Sequence, residues 1–415
     1  MEQPDISAKL TSKPAIMLYS LFAIIYIAIV GQRQADLTIY LMASKDLFQG
    51  KDIFYTGYID SYRYYYSLLF AILIYPLNYL PMLAAQYLWL LLNGLLMVGV
   101  ISILAKYFKL SALSIKQQWL FVVLCCVFSA KFVFANIYCQ QITIMILYLT
   151  LQGLEYIFSG KRLLGALLIG LAINFKIMPI VILPYLLYRR QFVASAFIAA
   201  VYTVLLFIPA LVIGWQQNSF LLGRWWSVIN PTNAEHVMDV EQRGFHSLTS
   251  FLSVLLVDKP PDKYELHIRR NIANLSLTQL SYVLNGVRLA FIAFSLYFLR
   301  TRPFFANISR AHRYWEISYI LLITPLIFPH QQHYSFVFAV PAMCHIFYYF
   351  LLQYNSMTKL KQRLLIATFT FSFLTINATF LLGEFNPYYE HFKILTYGVL
   401  VLVPLLAAFP PVKSE

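Results

Sequence analysis

Residues 34–66 read QADLTIYLMASKDLFQGKDIFYTGYIDSYRYYY, and the fold turns on how this stretch is read. It follows directly on an apolar run. It holds four acids, Asp36, Asp46, Asp52 and Asp60, in a chain with only 17 Asp and Glu in all. Asp36 lies a few residues beyond the run, which sets it near the lipid headgroups if that run crosses a membrane. From Asp36 to Phe48 the apolar residues Leu37, Tyr40, Leu41 and Phe48 recur at spacings of three, four and seven. That pattern is expected of a helix lying along a membrane surface rather than through it. Gly50, a polar turn and a cluster of tyrosines follow. A carboxylate held at the interface by such a helix is a candidate general base. The competing expectation is that Asp36 is the N-cap of the helix.

Composition carries this reading to the whole chain. Hydrophobic residues make up 60% and charged residues 12%, with a mean hydropathy of +0.68. A soluble domain carries about twice that charge, so the expected class is a polytopic membrane protein. The net charge of +14 does not call for nucleic acid. The basic residues fall in short clusters between apolar runs, as the positive-inside rule produces. Of the four cysteines, Cys125 and Cys126 are adjacent, Cys139 ends the same apolar run and Cys344 lies in another. No CxxC or metal-ligand spacing is present, so neither a disulfide framework nor a zinc site is expected. The N-terminal apolar run lacks a small-residue cleavage site and is expected to remain as a first helix.

Taken in order, the first span is expected at about Ala15–Val30, with Lys9 and Lys13 before it on the cytoplasmic side. Residues 31–80 form a first outer loop. Within it Ser67–Tyr79 is too short to cross and is interrupted by Pro76, so it reads as a half-helix. Further spans are expected at about Pro81–Ala105, Gln118–Asn136 and Ile142–Phe158. The stretch around Asn174 and Lys176 reads as two short helices meeting at an outer turn, or as one broken helix with Lys176 at mid-membrane. A seventh span runs over about Phe192–Ile213. A large outer loop, residues 214–279, separates it from the eighth; a loop of that length is expected to be functional, and its Trp and Phe content argues against disorder. Spans at about Leu280–Leu299, Trp315–Phe328, Tyr334–Leu352, Leu364–Leu382 and Ile394–Phe409 complete a single integral membrane domain, 1–415. The expected architecture is thus an all-α bundle of about twelve transmembrane helices with both ends cytoplasmic. No internal repeat is evident.

Under this topology the polar residues with chemical potential collect on the outer face: Asp36, Tyr62–Tyr66 with Arg63, Asn136, Gln140, Lys176, Arg224, Arg243, His246, His330 and His333. A carboxylate there can take a proton from a hydroxyl, and the cations can neutralise a leaving phosphate. Each also has a plainer reading. His330 and His333 can be polar residues of a tight turn, and without a third ligand they do not make a metal site. Lys176 can snorkel to the headgroups, although an ionisable residue within a span is by default a functional candidate. Arg224 and Arg243 can be solvated, and the tyrosines can form an interfacial belt.

Several stretches resemble one family. ADLTIYLMASKDLFQGKDIFY (Asp36, Tyr40, Gly50, Tyr55), YRYYYSLLFAILIYPL, Lys176–Pro179 followed by Arg189–Arg190, and TPLIFPHQQHYSFVFAVP occur in the order seen in glycosyltransferase family 87. These are polyprenol-phosphate-mannose-dependent mannosyltransferases of the GT-C fold. The family often has its two histidines adjacent; here Gln331 and Gln332 separate them, and either can match. Its usual Gly-Gln before the fourth span is Cys139–Gln140 here. The resemblance implies a GT-C-like bundle and an inverting transferase without a nucleotide-sugar site. A polyprenyl-phosphate-linked sugar, mannose or another hexose, would be the donor, and a glycolipid or glycan hydroxyl the acceptor. The site would lie on the outer face of a bacterial plasma membrane, with no nucleic acid, metal or cofactor. It assigns the general base to Asp36; together with the outer-face residues, the expected site has Asp36, His330 and His333 in catalysis, Lys176, Arg243 and Arg224 at the donor phosphate, and Tyr40, Tyr64, Gln140 and His246 in substrate binding. The alternative function is a secondary transporter or lipid flippase, which internal repeats and midplane charges would mark.

The topology is open to a direct check in a background without the native cysteines. Cysteines introduced at Ser356 and Lys109 are expected to be shielded from impermeant thiol reagents in intact cells, and one at Asn233 to be labelled. Labelling at Lys109 without permeabilisation overturns the half-helix assignment of Ser67–Tyr79.

Overall fold

The computed structural model describes residues 25–26, 28–30, 33–59, 62–230, 243–258, 266–299, 304 and 308–411. Among them there is no strand, and one isolated antiparallel bridge joins Phe245 to Gln332. α1 spans Asp36–Phe48, and α2, Leu68–Ile74, runs on into a 3-10 turn at Tyr75–Tyr79. Then come α3 (Met82–Ala105), α4 (Ile115–Tyr138), α5 (Thr143–Phe158) and α6 (Arg162–Phe175). A 3-10 turn, Met178–Val181, leads into α7 (Ile182–Tyr188). α8 (Phe192–Phe207), α9 (Ala210–Ile213), α10 (Trp215–Ile229), α11 (Leu248–Leu256) and α12 (Leu277–Leu299) follow. After α13 (Arg310–Ile327), a 3-10 stretch at His333–Ala339 continues into α14 (Val340–Gln353), and α15 (Lys359–Asn377), α16 (Asn386–His391) and α17 (Ile394–Ala408) close the fold. Several starts are fixed by side chains that accept otherwise unpaired backbone N–H groups. Ser67, Ser247, Ser309 and Thr358 do so at α2, α11, α13 and α15. Ser114 and Gln117 form a reciprocal capping box at α4.

Six described helices are long and apolar enough to cross a bilayer, which makes this an integral membrane protein: Met82–Ala105, Ile115–Tyr138, Phe192–Ile213, Leu277–Leu299, His333–Ser356 and Lys359–Phe380. Gly383–His391 and Ile394–Ala408, bent by 66° at a short break, add a seventh if taken as one span. Of the other segments expected as spans, α5 and the helices around Lys176 are shorter, and α13, 18 residues long, carries Arg310, Arg313 and Glu316. At 1.5 Å per residue, the 16 residues of α5 reach about 24 Å and the 14 of α6 about 21 Å, against a hydrocarbon core of about 30 Å. The expected first span lies almost wholly outside the described residues, and only 25–26 and 28–30 are seen as helix.

Two features organise the packing. The stretch His333–Ser356 has 94% of its apolar window inside the protein, against 17–33% for the other five long helices, so it is the helix the bundle surrounds. α5 and α6 meet backbone to backbone. A Cβ on Gly153 would fall 2.9 Å from the Gly165 carbonyl oxygen, and one on Gly165 2.5 Å from that of Gly153. Such small-residue contacts let short helices pack closely without a strong hydrophobic drive.

The stretch expected as the first outer loop packs closely around α1. α1 lies where the periodicity places it, but eight of its 13 residues are buried, including Thr38, Ile39, Ala43 and Ser44. α1 is thus buried in the protein on more than one face. Phe48, counted by spacing with the buried stripe, is instead 41% exposed and packs on the Tyr75 ring, centroids 4.1 Å apart. The large loop contributes α10 and α11, with Trp225 buried and its indole N–H donating to the Tyr65 carbonyl at 3.3 Å.

At the opposite end from α1, the end of α7 and the start of α13 are tied by a fully buried ion pair. The Arg189 guanidinium forks onto the Glu316 carboxylate, Nε to Oε2 at 3.0 Å and Nη2 to Oε1, and Nη2 also donates to the Leu299 carbonyl at 3.2 Å. The Tyr185 hydroxyl adds a third bond to Glu316, at 2.9 Å. Removing one partner leaves the other charge stranded out of water, a loss of about 3–5 kcal/mol. Glu316→Leu is therefore expected to lower the unfolding midpoint in detergent sharply, and an unchanged midpoint refutes this role for the pair.

Candidate active site

Asp36 is the first residue of α1. Ala35 occupies the N-cap position, with extended backbone and no side-chain capping bond, so Asp36 does not cap its own helix. Its backbone N–H donates instead to the Cys139 carbonyl, at 3.2 Å, beyond the end of α4. Its carboxylate Oδ2 accepts from the side-chain amide of Gln141. One turn further along α1, the Tyr40 hydroxyl lies 2.9 Å from that of Tyr66 and 3.0 Å from Gln141 Oε1. Tyr66 donates to the same oxygen at 2.8 Å. Burial raises the pKa of both phenols, which keeps them protonated and donating.

Lys176 enters from the break between α6 and the Met178–Val181 turn, its backbone extended. Its Nζ lies 6.0 Å from the Tyr66 ring centroid and 5.3 Å from that of Tyr334, within cation–π range of both. Asp36 and Lys176 are each half-buried and feel each other's charge. Burial pushes the Asp36 carboxyl up to about 7, with the Lys176 charge pulling the other way. Burial likewise lowers Lys176 to about 8, opposed by Asp36. A carboxylate poised near neutrality beside a cation can take a proton from a hydroxyl while an anion is held close by.

Tyr334 links this pair to a second cluster through its chain neighbour His333. His333 Nε2 lies 3.0 Å from Glu390 Oε1, and His246 Nε2 lies 2.8 Å from Glu390 Oε2, the two rings 4.5 Å apart. One carboxylate thus bridges two imidazoles brought from the His333–Ala339 turn and the start of α11. The sequence offered no third metal ligand beside the histidines; Glu390 is one, and the three ligand atoms lie within 4.8 Å of one another. Their spacing is nevertheless that of hydrogen bonds from two rings to one carboxylate. Lys131 interacts electrostatically with Glu390, and Lys393 with His246, and both charges oppose a further cation. The Lys393 ammonium donates to the Arg243 carbonyl at 2.9 Å, which sets Arg243 beside this cluster.

The remaining expected site residues fall elsewhere. Arg224 pairs with Asp52, Nε to Oδ2 at 3.0 Å, and lies over the Tyr55 ring at the surface. Tyr64 is fully buried and donates to the Ser67 carbonyl at 2.8 Å. His330 adopts a left-handed backbone (φ 56°), stacks on Tyr65 and meets the Phe245 ring edge-on. Gln140, also left-handed (φ 52°), uses its carbonyl to accept from the Trp89 indole at 2.7 Å and its amide to reach the Arg33 carbonyl at 3.2 Å. It is the next residue, Gln141, that meets Asp36. The doublet Gln140–Gln141 was the available signal, but which of the two faces the carboxylate depends on that left-handed turn.

The chain matches the profile of glycosyltransferase family 87 over residues 64–309. No curated protein and no solved structure matches it. The matched stretch includes Tyr66, Gln141, Lys176 and His246, while Asp36 precedes it and His333 and Glu390 follow it. Because the match runs over more than half of its length, the chain belongs to glycosyltransferase family 87.

Proposed function

We propose that the protein transfers a sugar, mannose or another hexose, from a polyprenyl-phosphate donor to a hydroxyl of a glycolipid or glycan, on the outer face of a bacterial plasma membrane. The observation that carries this reading is the Asp36–Lys176 pair, an acid and a base brought towards neutrality by the same burial. Asp36 takes the proton from the acceptor hydroxyl. The freed oxygen pair attacks the anomeric carbon as the bond from that carbon to the phosphate oxygen breaks, and polyprenyl phosphate leaves with the electrons. Inversion follows from a single displacement. Lys176 and Arg243, with His330 or His333, hold the phosphate and stabilise the charge that develops on it. Arg224, occupied with Asp52, is left out of this assignment. The apolar helices supply the surface along which a lipid-borne donor arrives.

The test is product formation by purified protein, given a panel of labelled polyprenyl-phosphate hexoses and a membrane extract as acceptor. A general base contributes about 10²–10⁴-fold to rate. Asp36→Asn keeps the side-chain shape and is expected to fold, to bind donor and to lose activity by about that factor. Turnover at the parent rate places the base elsewhere.

The pH profile follows from the signs of the two shifts. Asp36 must be ionised, so activity rises as pH passes about 7. Lys176 must be charged, so activity falls as pH passes about 8. Lys176→Met is expected to lower turnover strongly and to remove the alkaline limb, and Lys176→Arg to recover little, since a guanidinium fork is not a point charge. Unchanged activity in Lys176→Met assigns this lysine to the headgroups.

A further inference from the structure

We infer that Gln141 is a positioning residue for the proposed base: its amide, locked by the Tyr40 and Tyr66 hydroxyls, fixes which oxygen of Asp36 receives the proton. This rests on the reading of Asp36 as the base. The argument begins with the donors and acceptors of one amide. Gln141 is fully buried, so each of its polar atoms needs a partner. Its oxygen faces the Tyr66 hydroxyl at 2.8 Å and that of Tyr40 at 3.0 Å. A phenol hydroxyl can donate or accept, but an ionised carboxylate only accepts, so the nitrogen of the amide must face Asp36, where it donates to Oδ2. The oxygen is thereby turned to the two hydroxyls, which donate to it. A reversed amide would set its oxygen against the carboxylate.

The consequence falls on the carboxylate. Oδ2 is engaged, whereas Oδ1 has no hydrogen-bond partner among the described residues. Oδ1 is then the oxygen free to accept a proton from an incoming hydroxyl. The backbone makes the same connection, with the Asp36 N–H on the Cys139 carbonyl at 3.2 Å, while the Gln141 N–H on the Asn136 carbonyl at 2.9 Å fixes the turn that carries the amide. The start of α1 is thus tied to that turn by one backbone bond and by the Gln141 amide, which limits the freedom of the carboxylate to rotate. Besides Gln141, the titratable groups around Asp36 are Lys176, Tyr40, Tyr66, Tyr334 and Cys139. Lys176 alone among these carries charge when the base is ionised. Gln141 is the neutral donor that holds the ionised form in one orientation.

The experiment measures kcat, KM and the acid limb of the pH profile, using a labelled polyprenyl-phosphate hexose and membrane extract. Gln141→Leu is expected to lower kcat by about 10- to 100-fold, the scale of a misplaced catalytic group, with KM nearly unchanged. Loss of a donor to the carboxylate disfavours its charged form, so the acid limb moves to higher pH. Tyr66→Phe keeps the ring that Lys176 overlies and removes only the hydroxyl. It is expected to reproduce both effects at smaller size, and to add nothing in the Gln141→Leu background, because the two act through one atom. A merely structural role for Gln141 would alter stability and leave the acid limb in place. Parent kcat and an unshifted limb in Gln141→Leu overturn the proposal, and the same result in Tyr66→Phe overturns it if Gln141→Leu does not fold. The parent reading fails separately: Asp36→Asn at the parent rate removes the base itself, whereas an inactive Asp36→Asn beside a fully active Gln141→Leu removes only the positioning role.

Discussion

The cost of withdrawing one carboxylate from water shapes the site. Asp36 starts a helix that is packed into the protein, and burial alone would favour its neutral form. The fold sets two things against that cost. Lys176 supplies a cation from a different part of the chain, and Gln141 supplies a neutral donor. Neither cancels the cost, and the carboxyl stays near 7 rather than returning to the ordinary carboxylate range. Full neutralisation by a close ion pair would have made a weak base. The contrast with Glu316 is instructive. There a bidentate arginine, a tyrosine and His312, its Nε2 3.1 Å from Oε1, surround the carboxylate, and the result is a structural clamp.

Much of this could be seen in the sequence, and the residues show why the rest could not. Asp36 stood out because acids are scarce and this one follows an apolar run. Lys176 stood out because it interrupts one. The helices lie where apolar stretches and capping residues put them. What escaped detection was pairing across long sequence separations: Gln141 with Asp36 over 105 residues, His246 with Glu390 over 144, Arg189 with Glu316 over 127. No local periodicity encodes such contacts. Which of Gln140 and Gln141 meets Asp36 is not legible either, because a single left-handed residue decides which side chain faces the carboxylate. Phe48 misled in the opposite sense. Its spacing matched the buried stripe, but α1 is buried on more than one face, and Phe48 found Tyr75 at the surface instead.

Helix length ties the fold to the chemistry. α5, α6 and the pieces around the Met178–Val181 turn are too short to match a bilayer. Chain breaks therefore fall between short apolar helices, and non-helical backbone beside lipid is tolerated only where protein covers it or a cavity receives it. Lys176 lies in one such break, and the turn from Tyr138 to Gln141 is another. Both converge on the start of α1. The Gly153–Gly165 contact lets the short helices pack as closely as their length demands.

The same physics sets a limit on how stable this arrangement can be. The Asp36 carboxyl binds its proton more tightly in the folded chain than in the unfolded one, where its ordinary value is 3.8. Between that value and about 7 the folded state holds the extra proton, so stability falls as pH rises through this window, and above it the whole cost is carried. The ionised state that can act as a base is thus the state the fold tolerates least. The buried Arg189–Glu316 clamp is held by its own partners and does not depend on that ionisation. Stability supplied elsewhere in the bundle offsets the cost of the charge held at Asp36.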